Sequence, residues 1–471
     1  MLGACLLVGA ISAQARQPNI VFIAVDDLRT ELRCYGHDYV QSPNLDRLAS
    51  QGVLFRRHYA QVPTCGASRY ALLTGRSPAH SHALSNTALY RGASRLSSEA
   101  SDAAQTFPEL FRRSGYRTVL IGKISHTPDG KVYDYRGRGK GRDELPNAWD
   151  ELATPYGPWR RGWGSFFAYA GGAHREDGAG HRALMEFVAE KDTDLPDGLM
   201  AKRAVAKLAE LKARQQPFLL GLGFFKPHLP FVATRADWAA FADVEIPPPP
   251  HPGRIASPYW HKSGEFYGYR VPWKKTRPLA RKDQIAARRA YLACVRYVDR
   301  QVGKVLTAID ELGLRESTIV IVWGDHGWHL GDSAMWGKHS PFERALRSTC
   351  ILRAPGVAKP GQVCDALVET IDLYPTLVDL CKPSFTKTRY PLDGRSLRPL
   401  LVGDVDAVHE AALSYWRKAV SVCTLDYRLL VTGAKRADIE LYDLRASLDP
   451  VDNLAADEPE LVQRLLRLAG R

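Results

Sequence analysis

Four stretches of this chain, Ile20 to Val25, Tyr116 to Ile121, Phe218 to Phe225 and Thr318 to Trp323, are almost unbroken in apolar residues, and amphipathic segments separate them. A strand with one wet face alternates apolar and polar side chains. A strand apolar throughout has both faces covered, the condition of parallel strands packed between helices. The pattern therefore predicts an α/β architecture. Thr106 ahead of Pro108 starts a helix that stops near Gly115. A long helix runs from Asp283 to Leu312, with Ile285, Leu292, Val295, Val302, Val305 and Ile309 on one face and Gly313 as its stop. Pro247 to Pro278 is rich in proline, aromatic and basic residues without periodicity, and reads as a long surface excursion of the kind that shapes binding sites. Beyond Asp393-Gly394-Arg395-Ser396 the pattern changes. Ala412 to Trp416, Val420 to Thr432 and Glu440 to Leu444 are strand-like, and Asp457 and Pro459 begin a helix, which predicts a small antiparallel sheet with one helix. The expected division is an export signal at 1–17, a large domain at 18–403 and a small C-terminal α+β domain at 404–471.

A chain of 471 residues can bury one large core and a smaller one. Its net charge of +13 suits a polyanion, whether nucleic acid, anionic membrane surface or sulfated polysaccharide, with a plain basic surface as the alternative. No basic run interleaved with aromatics and no zinc-finger or helix-turn-helix spacing occurs, so nothing points to a nucleic-acid partner. Residues 1–15 are apolar and small and end in Ala13-Gln14-Ala15, the pattern of a signal cleavage site. They fall short of the roughly 20 apolar residues of a membrane span. Export is expected, to the periplasm, the medium or the cell surface, without stable membrane insertion. No positive charge precedes the apolar stretch, and Leu2-Gly3-Ala4-Cys5 looks like a lipoprotein box set close to Met1. Eight cysteines without a C-x-x-C pair exclude a zinc ribbon or a thioredoxin-type site. Most are expected to be buried as small apolar residues, with Cys364 and Cys381 the nearest candidates for a disulfide.

Polar clusters follow the buried runs, and in open α/β sheets ligands bind beyond the carboxyl ends of strands. Asp26-Asp27 follows the first run and Asp325-His326 the fourth. Either alone is ordinary turn chemistry. Together they offer carboxylates and an imidazole without thiolates, which suits Ca²⁺ better than zinc. Cys65-Gly66-Ala67-Ser68-Arg69 leads into a helix starting near Ala67, whose free N–H groups would favour an anion at Cys65. Arg69, four residues on, is expected to lower the thiol's pKa. An inert core cysteine is the alternative.

Cys65 to Arg69 followed by Leu73-Thr74-Gly75-Arg76 resembles the signature of the type I, formylglycine-dependent sulfatases, C-x-[PA]-S-R…LTGR, and Pro18-Asn19-Ile20 leading into Asp26-Asp27 resembles their first strand. Cys34-Tyr35-Gly36, Ser42-Pro43-Asn44, Gly122-Lys123 with His126, Lys226-Pro227-His228-Leu229-Pro230-Phe231 and Asp325-His326-Gly327-Trp328 fall in the order of the iduronate-2-sulfatase branch. The resemblance runs from about Pro18 onward. It implies an alkaline-phosphatase-like fold, with a large, mixed, mostly parallel sheet between helices.

The resemblance also implies a sulfuric ester hydrolase acting on a sulfated carbohydrate, and a maturase that oxidises Cys65 to formylglycine. Asp26, Asp27, Asp325 and His326 would hold Ca²⁺ together with an oxygen of the modified Cys65. Arg69 would stabilise the deprotonated hydrate, and Lys123 and Lys338 would grip sulfate oxygens. His126 would help expel sulfate, and His228, with Lys338 as a possible aid, would protonate the departing alcohol. Trp328 would line the substrate pocket, and Trp260, Tyr267 and Trp273 are candidates for stacking on sugar rings. Ala67 stands where many members have proline, and the C-terminal domain is shorter than in mammalian members, so the reaction transfers more readily than the substrate. Two other readings remain: a phosphoesterase or phosphonate hydrolase on the same scaffold, and a catalytically silent protein that binds sulfated glycans.

Overall fold

The computed structural model describes residues 17–99, 101–133, 138–357, 359–432 and 439–470; all but the last residue of the expected export signal, Cys5 included, lies outside them. Eight strands form the main sheet: β1 Asn19–Val25, β2 Val53–Tyr59, β3 Arg117–Gly122, β4 Glu151–Leu152, β5 Phe218–Phe224, β6 Thr318–Gly324, β7 Cys350–Arg353 and β8 Gln362–Glu369. They lie in the order β8-β2-β7-β6-β1-β5-β3-β4. Only β7 pairs antiparallel with its neighbours, so it alone runs against the other seven. All four apolar runs of the sequence are strands of this sheet.

Strand β1 shows why they are apolar throughout. Val21, Ile23 and Val25 enter one core layer and Ile20, Phe22 and Ala24 another, because successive side chains point to opposite faces. Helices Pro196–Ala213 and Arg281–Glu311 pack in the first layer, while Cys65–Thr74 and Phe107–Arg113 pack in the second. We call these four α1 Cys65–Thr74, α2 Phe107–Arg113, α3 Pro196–Ala213 and α4 Arg281–Glu311. Thr106 caps α2 by accepting from the Glu109 amide, and Gly313 follows α4 with φ +63°, as expected from sequence.

The C-terminal sheet is antiparallel, in sequence order: β9 Ala412–Trp416, β10 Ala419–Cys423, β11 Tyr427–Val431 and β12 Ile439–Asp443, with helix α5 Pro459–Leu468 packed on it. The expected single segment Val420 to Thr432 is instead a hairpin, β10 and β11, turning at Thr424-Leu425-Asp426. That turn carries no glycine or proline to mark it. The seven described cysteines are all free, and six are buried.

Register sets the active edge. Val25 lies beside Phe224 and Gly324, and Gly122 beside Gly223, so β1, β5, β6 and β3 end level. Gly223 is required there, because a Cβ on it would sit 2.1 Å from the Lys123 carbonyl oxygen. Replacing Gly223 with alanine should cost about 1–3 kcal/mol of stability and displace Lys123. Thermal denaturation and an ester-hydrolysis assay of the variant should fall together; unchanged values in both would mean that the close approach is not needed.

Candidate active site

Each level strand end delivers functional groups. Strand β1 runs into Asp26-Asp27, β3 into Lys123 and His126, β5 into Lys226 and His228, and β6 into Asp325-His326, while the segment after β2 reaches Cys65 at the start of α1. Helix α1 begins at Cys65 itself rather than near Ala67, with Thr64 in extended backbone before it. The Gly66 amide is taken by the Asn86 side chain at 2.9 Å. Asp27 adopts the left-handed φ of +61°, uncommon for a residue with a side chain. Its amide donates to Asp325 Oδ1 at 3.0 Å, and its carbonyl accepts from the Tyr291 hydroxyl at 2.8 Å, so both neighbours fix the turn.

Cys65, Asp26, Asp325 and His326 bring their ligand atoms within 4.8 Å of one another, as do Asp27, Cys65 and His228. Cys65 Sγ lies 3.2 Å from His326 Nε2, which is 3.5 Å from Asp27 Oδ1 and 3.8 Å from Asp325 Oδ1. Three cations are set among the carboxylates. Arg69 donates from Nε to Asp325 Oδ2 at 3.0 Å and from Nη1 to the carbonyls of Lys123 and Ile124. Its Nη2 approaches Asp26 Oδ1 at 3.6 Å. Lys123 pairs with Asp26 and lies over the Phe166 ring, and Lys338 reaches Asp27 Oδ1 at 2.8 Å. Every one of these groups is buried.

The electrostatics separate the two neighbouring aspartates. Burial opposes ionisation of Asp26, but Lys123 and Arg69 overcome it and hold its carboxyl well below the usual range. Burial, with Asp26 and Asp325 close by, raises Asp27 well above that range despite Lys338. Burial drives His126 and His228 well below ordinary imidazole values, helped by Lys123 at the first and Lys338 at the second, and His326 down to about 4.

Three expectations fail. The Cys65 thiol is pushed well up, because it is 3% exposed and faces Asp26, while Arg69 spends its charge on the carboxylates. Trp328 does not line a pocket. Its ring is 1% exposed, lies parallel to Tyr291 at 6.2 Å and meets Phe231 edge-on, so it belongs to the core behind the site. Tyr267 is likewise buried, its hydroxyl donating to the Thr276 carbonyl at 2.9 Å.

The remaining predicted residues converge. His228 directs Nδ1 at the Leu229 carbonyl at 2.7 Å, which leaves Nε2 facing Asp27 and Glu265, each at 3.8 Å. His126 stands against the Trp163 ring, with Nδ1 buried and without a hydrogen-bond partner. Sequence reasoning missed Glu144, which accepts from the amides of His126 and Thr127 at 3.1 and 2.7 Å, and also Glu265 and Tyr291. No spacing pattern marks the first two, and Tyr291 lies hidden in the amphipathic pattern of α4.

Behind the Asp27 turn lies a buried ion cluster. Arg29 pairs with Glu31 at 3.1 Å and Asp332 at 2.7 Å, and Arg288 pairs with Glu31 at 2.5 Å. Burial would raise Glu31, but Arg288 and Arg29 lower it to about 2 from 4.5. A depressed carboxylate stabilises the fold above its unfolded pKa and loses that contribution as pH falls through the folded value, so Glu31 should supply about 3 kcal/mol above pH 4.5, lost on approach to pH 2. The melting-temperature gap between the parent and Glu31→Gln should be wide at pH 6 to 7 and close across that window. A gap independent of pH would refute the assignment.

The comparisons with known proteins agree with this geometry. The sulfatase family model matches residues 18–382. Iduronate 2-sulfatase of Mus musculus is 31% identical over 400 residues, covering 77% of this chain and 68% of its own length. A sulfatase of Formosa agariphila is 30% identical over 414 residues, covering 81% and 73%. Among solved structures, the phosphonate monoester hydrolase of Silicibacter pomeroyi superposes with a TM-score of 0.75 at 23% identity, over 96% of this chain and 94% of that one. BT4656, solved with its substrate D-glucosamine-2-N,6-O-disulfate, gives 0.70 at 20% identity, over 96% and 97%. At such identities the superpositions establish the alkaline-phosphatase-like fold, and with the family match and the two relatives near 30% identity the conclusion is that this chain belongs to the sulfatase family and is a sulfuric ester hydrolase.

Proposed function

We propose that the protein releases sulfate from a carbohydrate, a sulfated uronate or another polysaccharide-derived sugar, using formylglycine made from Cys65 and Ca²⁺ held by Asp26, Asp27, Asp325 and His326. The observation that carries this reading is the convergence of Cys65 with three carboxylates, one imidazole and three cations at a single sheet edge. The donor set fits a hard divalent cation: it is mostly carboxylate oxygen, Asp26 Oδ1 is buried without a hydrogen-bond partner, and a cation would return Asp27 to its ionised form. Calcium, when bound, supplies a Lewis acid that offsets negative charge growing on the sulfate oxygens. Formylglycine, an aldehyde, would supply two hydroxyls on one carbon once hydrated, which would let sulfate leave as the carbonyl re-forms, without water attacking sulfur.

The chain's own residues do the rest. A sulfate ester repels an anionic nucleophile, so preorganised positive charge is required. Lys123 and Lys338 stand where they can grip sulfate oxygens, and Arg69 is locked beside Cys65 by its carboxylate partners. His228 Nε2 is the atom free to pass a proton to the leaving alcohol, since Nδ1 is committed to the Leu229 carbonyl. An anionic ester beside it favours the imidazolium that burial otherwise suppresses. His126, with Nδ1 unpartnered, can accept a proton as sulfate departs. The burial of Cys65 leaves it open to a maturase only before the chain closes over it. The name of the iduronate 2-sulfatase favours a sugar sulfate, and a sulfated-polysaccharide substrate accords with the net charge of +13 and with the expected export. No described helix is long and apolar enough to cross a membrane.

Co-production with a maturase should convert the Cys65 thiol to an aldehyde, seen by mass spectrometry of its peptide, and the protein should then release sulfate from an aryl sulfate and from sulfated sugars. Faster turnover of matched phosphate or phosphonate esters would overturn the sulfate assignment. Unmodified, inactive Cys65 despite a competent maturase would favour a glycan-binding protein. Cys65→Ala should lower turnover by about 10³-fold or more while the protein stays folded. Asp325→Ala should lose Ca²⁺ affinity and activity together, and normal metal content in that variant would refute the ligand set.

A further inference from the structure

A cavity of about 740 Å³ opens between the 247–278 excursion and the C-terminal sheet, lined by Trp260, His261, His339, Trp416, Arg417 and Lys418 among others. It shares a wall with the reaction centre. His339 follows Lys338, the partner of Asp27, and its Nδ1 lies 3.0 Å from the hydroxyl of Thr64, the residue before Cys65. Its ring stacks on Trp416 at 5.2 Å. The volume lies within the range of small-molecule sites, and the wall combines aromatic rings with cations and no carboxylate among the described residues.

The cations are placed at a cost. Arg417 and Lys418 form the two-residue turn between β9 and β10, where Trp416 pairs with Ala419. Arg417 has φ +56°, a conformation that favours glycine, asparagine or aspartate at such turns. Both side chains are exposed, and neither makes an ion pair among the described residues. Within the hairpin, Arg417 has its guanidinium over the neighbouring Trp416 ring at 5.4 Å, at the edge of the cavity. Arg417 and Lys418 put positive charge at the rim of an aromatic cavity beside the nucleophile, and a guanidinium matches a planar oxyanion in two-pronged fashion.

We propose that this cavity is the subsite for the part of an anionic saccharide beyond its scissile sulfate, with a sugar ring against the tryptophans and a carboxylate or second sulfate held by Arg417 and Lys418. The assignment rests on the sulfatase reading above and names the substrate feature that the site selects.

The test is calorimetric titration of full-length Cys65→Ala protein with Ca²⁺, so that the ligand is not consumed. The probes are a monosulfated disaccharide carrying a carboxylate, its carboxyl-reduced form, and the reduced form bearing a second sulfate. The protein should bind at least one charged disaccharide about tenfold or more tightly than the reduced one, and whichever it prefers identifies the anion. Adding Arg417→Asn with Lys418→Ser should remove that preference and its salt dependence. Because asparagine tolerates the left-handed turn, the melting temperature should stay the same or rise. Equal affinities for charged and reduced probes, a preference that survives the double substitution, or a loss of affinity matched by a lower melting temperature would each overturn the subsite. The reading on which it rests fails separately, if the matured protein releases sulfate from no ester.

Discussion

The structure depends on a balanced set of charges buried at one sheet edge. Asp26, Asp27 and Asp325 converge where water is excluded, and three carboxylates there would repel one another strongly without Arg69, Lys123 and Lys338. These six groups come from five separate segments of chain. The cluster can form only if β1, β3 and β6 end level and α1 starts where it does, and the β sheet register meets that condition. Fold and site are therefore one requirement. The cations that make burial of the carboxylates tolerable are also those proposed to meet an anionic substrate.

The balance is uneven in a useful way. Burial opposes ionisation of both, but Lys123 and Arg69 pair with Asp26 whereas Lys338 is the one lysine or arginine among the described residues that pairs with Asp27, so the first is held ionised while the second is pushed toward its neutral form. The ion cluster of Arg29, Glu31, Asp332 and Arg288 lies immediately behind and, with Tyr291, holds the left-handed Asp27 turn between them. Residues deeper in the fold thus fix the direction in which a carboxylate of the candidate site points.

What the sequence made legible follows from the same physics. Strands buried on both faces are apolar throughout, and their polar ends locate the site, so the four runs and the residues after them could be read directly. The reading failed where a side chain's fate depends on partners distant in the chain. Arg69 stands four residues after Cys65, but burial raises the thiol and two aspartates from other strands draw the guanidinium's charge away from it. Trp328 is three residues from Asp325, yet the chain turns there and sends the ring into the core against Tyr291 of α4. Glu144 and Glu265 act through positions that no local pattern marks. The β10–β11 hairpin was missed because its turn lacks the usual residues.

The same division separates reaction from specificity. The groups proposed to meet sulfate stand on strand ends or are locked by them, and at such rigid positions the residue types that the chemistry requires fall in short runs that a sequence shows directly. The groups that would meet the rest of a sugar stand on irregular segments, the 247–278 excursion and the β9–β10 turn, where a side chain can change without disturbing the core. Arg417 in a left-handed turn is evidence of that freedom, since the hairpin would close more easily with asparagine or glycine. In this chain the proposed sulfate chemistry stands on strand ends and the proposed choice of sugar on loops, which is why the reaction could be read from residues alone and the sugar could not.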